Sequence, residues 1–210
     1  MLLKSKIIGE GSDVLVVLHG FLGMSDNWNS FAKKIDNQGF QIHLLDQRNH
    51  GESFHSKEFD YELLANDLKY YMDHYQIKNF SLIGHSMGGK TAMMFSGYFP
   101  NAVNKLIVVD ILPIYYKNDY QNILKFLKSI NLNSIRSRLE ADNALSSSIK
   151  SPSFRAFLLK NLKRIGKSEF TFKIDLNIIL DKLNEVEKAL PIDLYFGGET
   201  LFIKGKNSDY

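Results

Sequence analysis

The 210-residue chain is 44% apolar and 23% charged, a balance that predicts one globular domain with a sizeable core. It has no cysteine, so disulfides, a thiol nucleophile and zinc–thiolate sites are excluded within it. No stretch approaches the roughly 18 apolar residues of a membrane span, and the apolar run at the amino end is too short for a signal peptide. We therefore expect a cytoplasmic protein without a membrane span, whose chemistry depends on serine, histidine and carboxylates.

The net charge of +3 is unevenly distributed along the chain. Residues 117–173 contain 12 Lys or Arg and 4 Asp or Glu, a net charge of +8, which leaves −5 for the remaining residues. Such a segment is commonly a solvated helical face, but it would also attract a substrate with an anionic head. Nothing in this pattern predicts a nucleic-acid partner.

In the first half, short apolar runs rich in β-branched residues alternate with stretches of helical spacing. The predicted strands cover 14–20, 41–46, 80–84 and 105–110, and the predicted helices lie near 28–35, 61–72 and 87–99. This alternation predicts an α/β fold with a mostly parallel, twisted sheet and helices on both faces. Strands end at His19, Asp46 and Asp110, and ligands of such sheets bind at those ends.

From about residue 112 the pattern changes. Residues 117–190 have the apolar spacing of several helices, without a convincing strand, and residues 200–205 predict that the sheet resumes. We therefore predict a core formed by residues 1–112 and 191–210, and a helical lid formed by residues 113–190.

The stretch SLIGHSMGGK places Ser86 between Gly84 and Gly88, after a predicted strand and at the start of a predicted helix. A sharp strand–turn–helix bend of this kind exposes a serine hydroxyl as a nucleophile, and glycines are needed where a side chain would collide. HGFLG, residues 19–23, follows the first buried strand and is called the oxyanion loop below. The backbone N–H groups of Phe21 and Met87 are candidate donors to the oxyanion of a tetrahedral intermediate.

These residues resemble the α/β-hydrolase family. HGFLG is similar to its oxyanion loop, DQRNHGES (residues 46–53) to the loop after the next strand, and GHSMGG to its nucleophile elbow. The resemblance covers residues 14 to about 115 closely and residues 200–205 more loosely. The form D-x-R-N-H-G-x-S resembles a branch of small esterases and acyl-CoA thioesterases. It implies neither a metal nor an organic cofactor.

The resemblance also implies a Ser–His–acid triad. Asp110 matches the position of the acid in this branch, and Asp209 is the alternative, because many relatives place the acid after a later strand. The family's order is nucleophile, acid, histidine, but no histidine follows Asp110. The histidines are His19, His43, His50, His55, His74 and His85. We therefore expect the final strand and helix of the family, with the catalytic histidine, to be missing from this chain.

The remaining candidate residues have supporting roles. We expect His19 to brace the oxyanion loop, His85 to pack at the elbow, and His50 to order residues 46–53, with Arg48 and Asp46 paired nearby. The predicted apolar wall of the pocket or lid consists of Tyr115, Tyr116, Phe154 and Phe157. Lys160, Lys163 and Arg164 are the predicted contacts to the phosphates of a coenzyme A thioester.

The sequence thus predicts a serine hydrolase that cleaves small-molecule carboxylic esters or thioesters. Two alternatives stay open: a C–C hydrolase or cofactor-free synthase of the menaquinone-pathway type, which shares the elbow, and a non-catalytic binding protein that keeps the pocket.

Overall fold

The computed structural model describes residues 1–117, 119–166 and 169–208. The strands in these ranges are β1 (Ser5–Ile8), β2 (Asp13–Leu18), β3 (Phe40–Leu45), β4 (Phe80–His85), β5 (Val103–Val109), β6 (Leu162–Ile165), β7 (Glu169–Phe172) and β8 (Glu199–Ile203). The helices are α1 (Asn29–Ile35), α2 (Tyr61–His74), α3 (Met87–Tyr98), α4 (Tyr120–Ser129), α5 (Arg138–Ser146), α6 (Pro152–Leu159), α7 (Leu176–Asp181) and α8 (Leu183–Glu187). None of these helices is long and apolar enough to cross a membrane.

The main sheet has six strands in the order β1-β3-β2-β4-β5-β8. Only β1 runs antiparallel to its neighbour. The prediction of a mostly parallel sheet is therefore confirmed, and the five predicted strands agree with the observed ones to within two residues at each end. The sequence missed β1, whose four residues are too short and too exposed to give a clear alternation.

Helices cover both faces of the sheet, as predicted. Leu15 and Val17 point to the face covered by α1, while Val16 and Leu18 point to the face covered by α2 and α3. This division follows from the alternation of side chains along a strand. A continuous apolar run such as 14–18 is stable only where both faces are covered, and the carboxyl ends of the strands then form the site.

The segment between β5 and β8 contains α4–α8 and also a two-stranded antiparallel sheet, β6–β7. The prediction of a purely helical lid is therefore wrong at Leu162–Ile165 and Glu169–Phe172. Helix α6 ends at Leu159, and Leu162, whose apolar spacing from Leu158 also fits a helix, begins β6 instead. Glu169, Phe170 and Thr171 alternate between polar and apolar, the pattern of a half-buried strand.

Both ends of the lid are fixed to α3 through Lys90. This lysine is buried, and its Nζ donates to the carbonyls of Glu187, at 3.2 Å, and Lys188. Its ammonium group also lies 5.5 Å from the ring centroids of Tyr61 and Tyr116. Since the Tyr116 N–H donates to the Glu187 carbonyl at 3.0 Å, the start and the end of the lid meet at this lysine.

Candidate active site

Ser86 occupies a backbone conformation that few non-glycine residues adopt, with φ 51° and ψ −119°. It lies between β4 and α3, and its N–H donates to the Val109 carbonyl at 3.0 Å. A Cβ on Gly84 would lie 2.1 Å from the Gly88 carbonyl oxygen, and a Cβ on Gly88 would lie 2.5 Å from the His19 carbonyl oxygen. The bend is therefore too tight for side chains at these two positions.

The oxyanion loop is held by His19, which is fully buried. The Nε2 atom of His19 accepts a hydrogen bond from the Gln47 N–H at 3.0 Å, so Nδ1 carries the proton and donates to the Gly20 carbonyl at 2.8 Å. Burial lowers the pKa of His19 to about 4, which keeps the imidazole neutral. Both ring nitrogens serve the loop, so this histidine is not placed to accept a proton from Ser86.

His50 has the same protonation pattern on the other side of the loop. Its Nδ1 donates to the Arg48 carbonyl at 3.0 Å, and its Nε2 accepts from the Leu22 N–H at 3.3 Å. Burial is the main reason that the pKa of His50 falls to about 3. His50 thus joins residues 46–53 to the oxyanion loop.

Arg48 and Asp46 do not pair with each other, contrary to the prediction. Arg48 forms a bidentate salt bridge with Asp67 on α2, in which its Nε and Nη2 donate to the two carboxylate oxygens at 2.6 and 2.8 Å. The Asp46 carboxylate instead accepts the backbone N–H groups of Ser25, at 2.7 Å, and Glu52, at 2.9 Å. The Asp46 carboxylate is therefore stabilised by backbone N–H donors from two loops, and no cation pairs with it in the described residues.

Asp110 lies directly after β5, on the strand next to the one that carries Ser86. Its φ is 58°, its N–H donates to the Ile203 carbonyl at 2.7 Å, and its carboxylate accepts from the Gly205 N–H at 3.0 Å. Burial lowers the pKa of the neighbouring His85, and the charge of Asp110 partly offsets that shift. Asp209 lies outside the described residues.

A cavity of about 540 Å³ opens above Ser86. Its lining includes Phe154 and Phe157 of the predicted wall, together with the site candidates His19, Phe21 and His85. Tyr120 on α4 also lines it, 5.0 Å from Phe21 between ring centroids, as do Asn27, Trp28 and Phe31. Tyr120 carries no local signal of this role, because only its place in the lid brings it to the site.

Tyr115 and Tyr116 are not in the lining of this cavity, contrary to the prediction. Tyr115 is 58% exposed, and Tyr116 packs against Lys90 at the base of the lid. The chain leaves β5 away from the cavity at this point, so the two rings flank the start of the lid.

The three predicted phosphate contacts all have protein partners. Lys163 pairs with Glu52 at 2.8 Å, and the Lys160 Nζ lies 3.4 Å from the Asp26 carbonyl oxygen. The Arg164 guanidinium lies 4.7 Å from the centroid of the Phe170 ring. These cations therefore attach or order the lid in the structure, and none of them lines the cavity.

In the described part of the chain, no histidine forms a hydrogen bond with the Ser86 hydroxyl. His43, for example, is bonded to Tyr71, at 2.9 Å, and to Gln41, at 3.0 Å. The site therefore combines a half-buried serine, two candidate backbone donors and a neighbouring carboxylate, while the rings of His19 and His50 are bonded to the loops around it.

Residues 13–184 match the family model of the alpha/beta hydrolase fold. The chain is 34% identical to an sn-1-specific diacylglycerol lipase of Mus musculus, over 93% of this chain and 66% of the relative. It is 32% identical to a putative esterase/lipase of Haemophilus influenzae, over 94% of this chain and 67% of the relative. The chain thus spans about two thirds of the length of these curated relatives.

Among solved structures, a marine microorganism esterase superposes with a TM-score of 0.93 at 36% sequence identity. The match covers 98% of this chain and 81% of that esterase. The similarity therefore includes the lid as well as the sheet.

Proposed function

The chain belongs to the α/β-hydrolase family, and from that membership we propose that it provides the nucleophile and oxyanion hole of a serine hydrolase of the esterase/lipase type. Ser86 is the proposed nucleophile, Asp110 the proposed acid, and the N–H groups of Phe21 and Met87 the proposed oxyanion donors. The observation that carries the proposal is the strained Ser86 backbone at the start of α3, beneath an apolar cavity.

In the proposed reaction, the Ser86 Oγ attacks the carbonyl carbon of an ester while a general base takes the hydroxyl proton. Negative charge develops on the carbonyl oxygen, where the Phe21 and Met87 N–H groups would stabilise it; one such donor is worth about 3 kcal/mol. The base then protonates the leaving alkoxide, and water hydrolyses the acyl-serine by the same route in reverse. The general base would be a histidine outside these 210 residues, oriented by Asp110.

The apolar lining favours a neutral acyl chain as the group that enters the cavity. Phe21, Phe154 and Phe157 present aromatic surface, and no Lys or Arg belongs to the described lining. A neutral carboxylic ester is therefore the preferred substrate class. Thioesters fit the same chemistry, since a thiolate replaces the alkoxide as the leaving group.

Chemical rescue tests the proposal in the chain itself. Without a positioned base we expect the 210-residue chain to hydrolyse p-nitrophenyl esters only slightly above water. Added imidazole should restore part of the turnover, because it can accept the Ser86 proton from the open side of the cavity. The Ser86→Ala variant gives the background hydrolysis by imidazole itself, which must be subtracted.

An imidazole-dependent rate that is equal in wild type and Ser86→Ala would contradict the nucleophile assignment. It would favour the non-catalytic binding protein, which needs the cavity but no activated serine. Ordinary esterase turnover without imidazole would instead require one of the chain's own histidines as the base.

A further inference from the structure

Asn161 is a buried lid residue whose side chain contacts the oxyanion loop. It is 1% exposed and lies between α6 and β6. Its Nδ2 donates to the Leu22 carbonyl at 2.8 Å. Its own backbone is fixed within the lid, because its N–H donates to the Leu158 carbonyl at 3.0 Å and its carbonyl accepts from the Lys173 N–H at 2.8 Å. Asn161 is therefore a fixed link between the lid and the loop.

Two peptide units of the oxyanion loop, Leu22–Gly23 and Gly20–Phe21, connect the Asn161 side chain to the Phe21 N–H. The Leu22 carbonyl shares a peptide unit with the Gly23 N–H, which donates to the Gly20 carbonyl at 2.9 Å. The Gly20 carbonyl in turn shares a peptide unit with the Phe21 N–H. Both units are trans, so within each one the C=O and N–H bonds point in opposite directions. Fixing the Leu22 carbonyl thus helps to fix the direction of the Phe21 N–H.

The Leu22 backbone requires such external support. Its φ is 58°, in the left-handed region that a bulky residue seldom adopts, and its side chain is fully buried. A strained conformation of this kind persists only where neighbouring groups hold it. The two groups that do so are His50, at the Leu22 N–H, and Asn161, at the Leu22 carbonyl.

We propose that Asn161 is a positioning residue through which the docked lid aims the Phe21 N–H at the site of the developing oxyanion. The inference rests on the proposed function, since it takes the Phe21 N–H as an oxyanion donor. It adds that the lid is part of the catalytic apparatus as well as a wall of the cavity. A lid that moves away would remove one support of the oxyanion hole.

Asn161→Leu and Asn161→Ser test this role. Leucine keeps the branching at Cγ but is larger and has no donor. Serine provides a second variant that is too short to reach Leu22, in case leucine disturbs folding. Lys163→Gln is the matched control, because it removes a lid-to-core ion pair, that with Glu52, without touching the oxyanion loop. A general loosening of the lid would affect all three variants alike.

Two measurements on the whole chain separate the positioning role of Asn161 from the proposed function. Hydrogen exchange at the Leu22 and Gly23 amides should become about tenfold faster in both Asn161 variants and stay unchanged in Lys163→Gln. With a fluorophosphonate probe, the Ser86 hydroxyl gives its proton to solvent or buffer, and its Oγ bonds to phosphorus as fluoride leaves. The maximal labelling rate should fall about tenfold to a hundredfold in the Asn161 variants, with the half-saturating probe concentration unchanged.

Unchanged amide exchange, unchanged maximal labelling, or an equal loss in Lys163→Gln would each overturn the role of Asn161. If wild-type Ser86 is not labelled at all, the proposed function fails. The exchange rates at Leu22 and Gly23 then decide by themselves whether the lid holds the loop.

Discussion

Single residues at the proposed site act through backbone geometry as much as through side-chain chemistry. Ser86, Asp110 and Leu22 all have positive φ values, and each lies at the end of a strand or in the loop beside it. Neighbouring hydrogen bonds hold each of them in place: the Val109 carbonyl for Ser86, the Ile203 carbonyl for Asp110, and His50 with Asn161 for Leu22. Strained backbone conformations thus occur where the proposed chemistry needs side chains and N–H groups in fixed orientations.

Asp110 is the proposed acid that orients the histidine base. In a protein that combines this chain with the proposed histidine base, Asp110→Asn should lower turnover on the order of 10⁴-fold, because asparagine favours the wrong tautomer of the histidine. The protein should stay folded, since asparagine tolerates positive φ. Steady-state kinetics on a p-nitrophenyl ester measure the loss, and Asp209→Asn is the matched control. A large loss in the control alone would exchange the two roles.

Sequence patterns located the residues whose neighbours along the chain define them, and missed those defined by tertiary contact. The bend at Ser86 could be predicted because its two glycines and the flanking strand and helix are local features, and the role of Ser86 as nucleophile stays a proposal. Asn161 carries no local signal, because its role depends on a contact with Leu22, 139 residues away. Tyr115 and Tyr116 were placed in the cavity wrongly, since the direction in which the chain leaves β5 is not encoded in their own composition.

At the scale of elements, the elbow depends on the close approach of α3 to β2. The Gly88 Cα faces the carbonyl oxygens of Leu18 and His19, so an added methyl group would lie 2.6 and 2.5 Å from them. These are backbone atoms of a central strand and its continuation, which cannot move without disturbing the sheet.

Gly88→Ala should therefore lower the free energy of unfolding by about 3 kcal/mol or more. Gly166→Ala is the control: it also replaces a glycine, with φ 60°, but no atom lies within 4 Å of the added Cβ. Its loss should be about 1 kcal/mol, from backbone conformation alone. Urea unfolding measures both, and equal losses would show that α3 does not pack against β2 as closely as described.

Lys90 holds the base of the lid against α3. Lys90→Met keeps the aliphatic bulk but removes the donor to the Glu187 and Lys188 carbonyls, so unfolding should cost about 1–3 kcal/mol less. Limited proteolysis should also become faster near residues 186–190. Lys69→Met, at a half-exposed lysine paired with Asp73 on α2, should change stability by less than about 0.5 kcal/mol. A similar loss in both variants would show that Lys90 does not fasten the lid.

For the molecule as a whole, alternating strands and helices in the first half were enough to predict the sheet and its two covered faces. The lid was less predictable: the β6–β7 sheet consists of four-residue strands, and a short run near Leu162 fits helical and strand spacing equally well. Its basic charge predicted a ligand, but Lys163 is instead used in a contact with Glu52 of the core.

Buried neutral histidines make the stability of the whole molecule depend on pH. Burial lowers the pKa values of His19 and His43 to about 4 and that of His50 to about 3. The unfolded chain takes up these protons near pH 6.5, so below that value it binds more protons than the native protein and stability falls as pH falls. The expected slope is up to about 1.4 kcal/mol per pH unit for each histidine between pH 6.5 and 4.

Urea unfolding from pH 7 to pH 4.5 measures this slope. His43→Gln should reduce the slope by up to about 1.4 kcal/mol per pH unit, because it removes one of the buried neutral rings. His43 is chosen because it lies away from the proposed site, so its replacement leaves the oxyanion loop intact. A stability that does not depend on pH over this range would contradict the neutral, buried state of these rings.

The position of a fluorophosphonate adduct shows which residue of the chain acts as the nucleophile. Wild-type chain is incubated with the probe, and peptide mapping by mass spectrometry then locates the added phosphonyl group. We predict slow, stoichiometric modification of Ser86 alone, and no adduct in Ser86→Ala. An unmodified Ser86, or an adduct spread over several exposed serines at equal rates, would show that Ser86 is not the nucleophile.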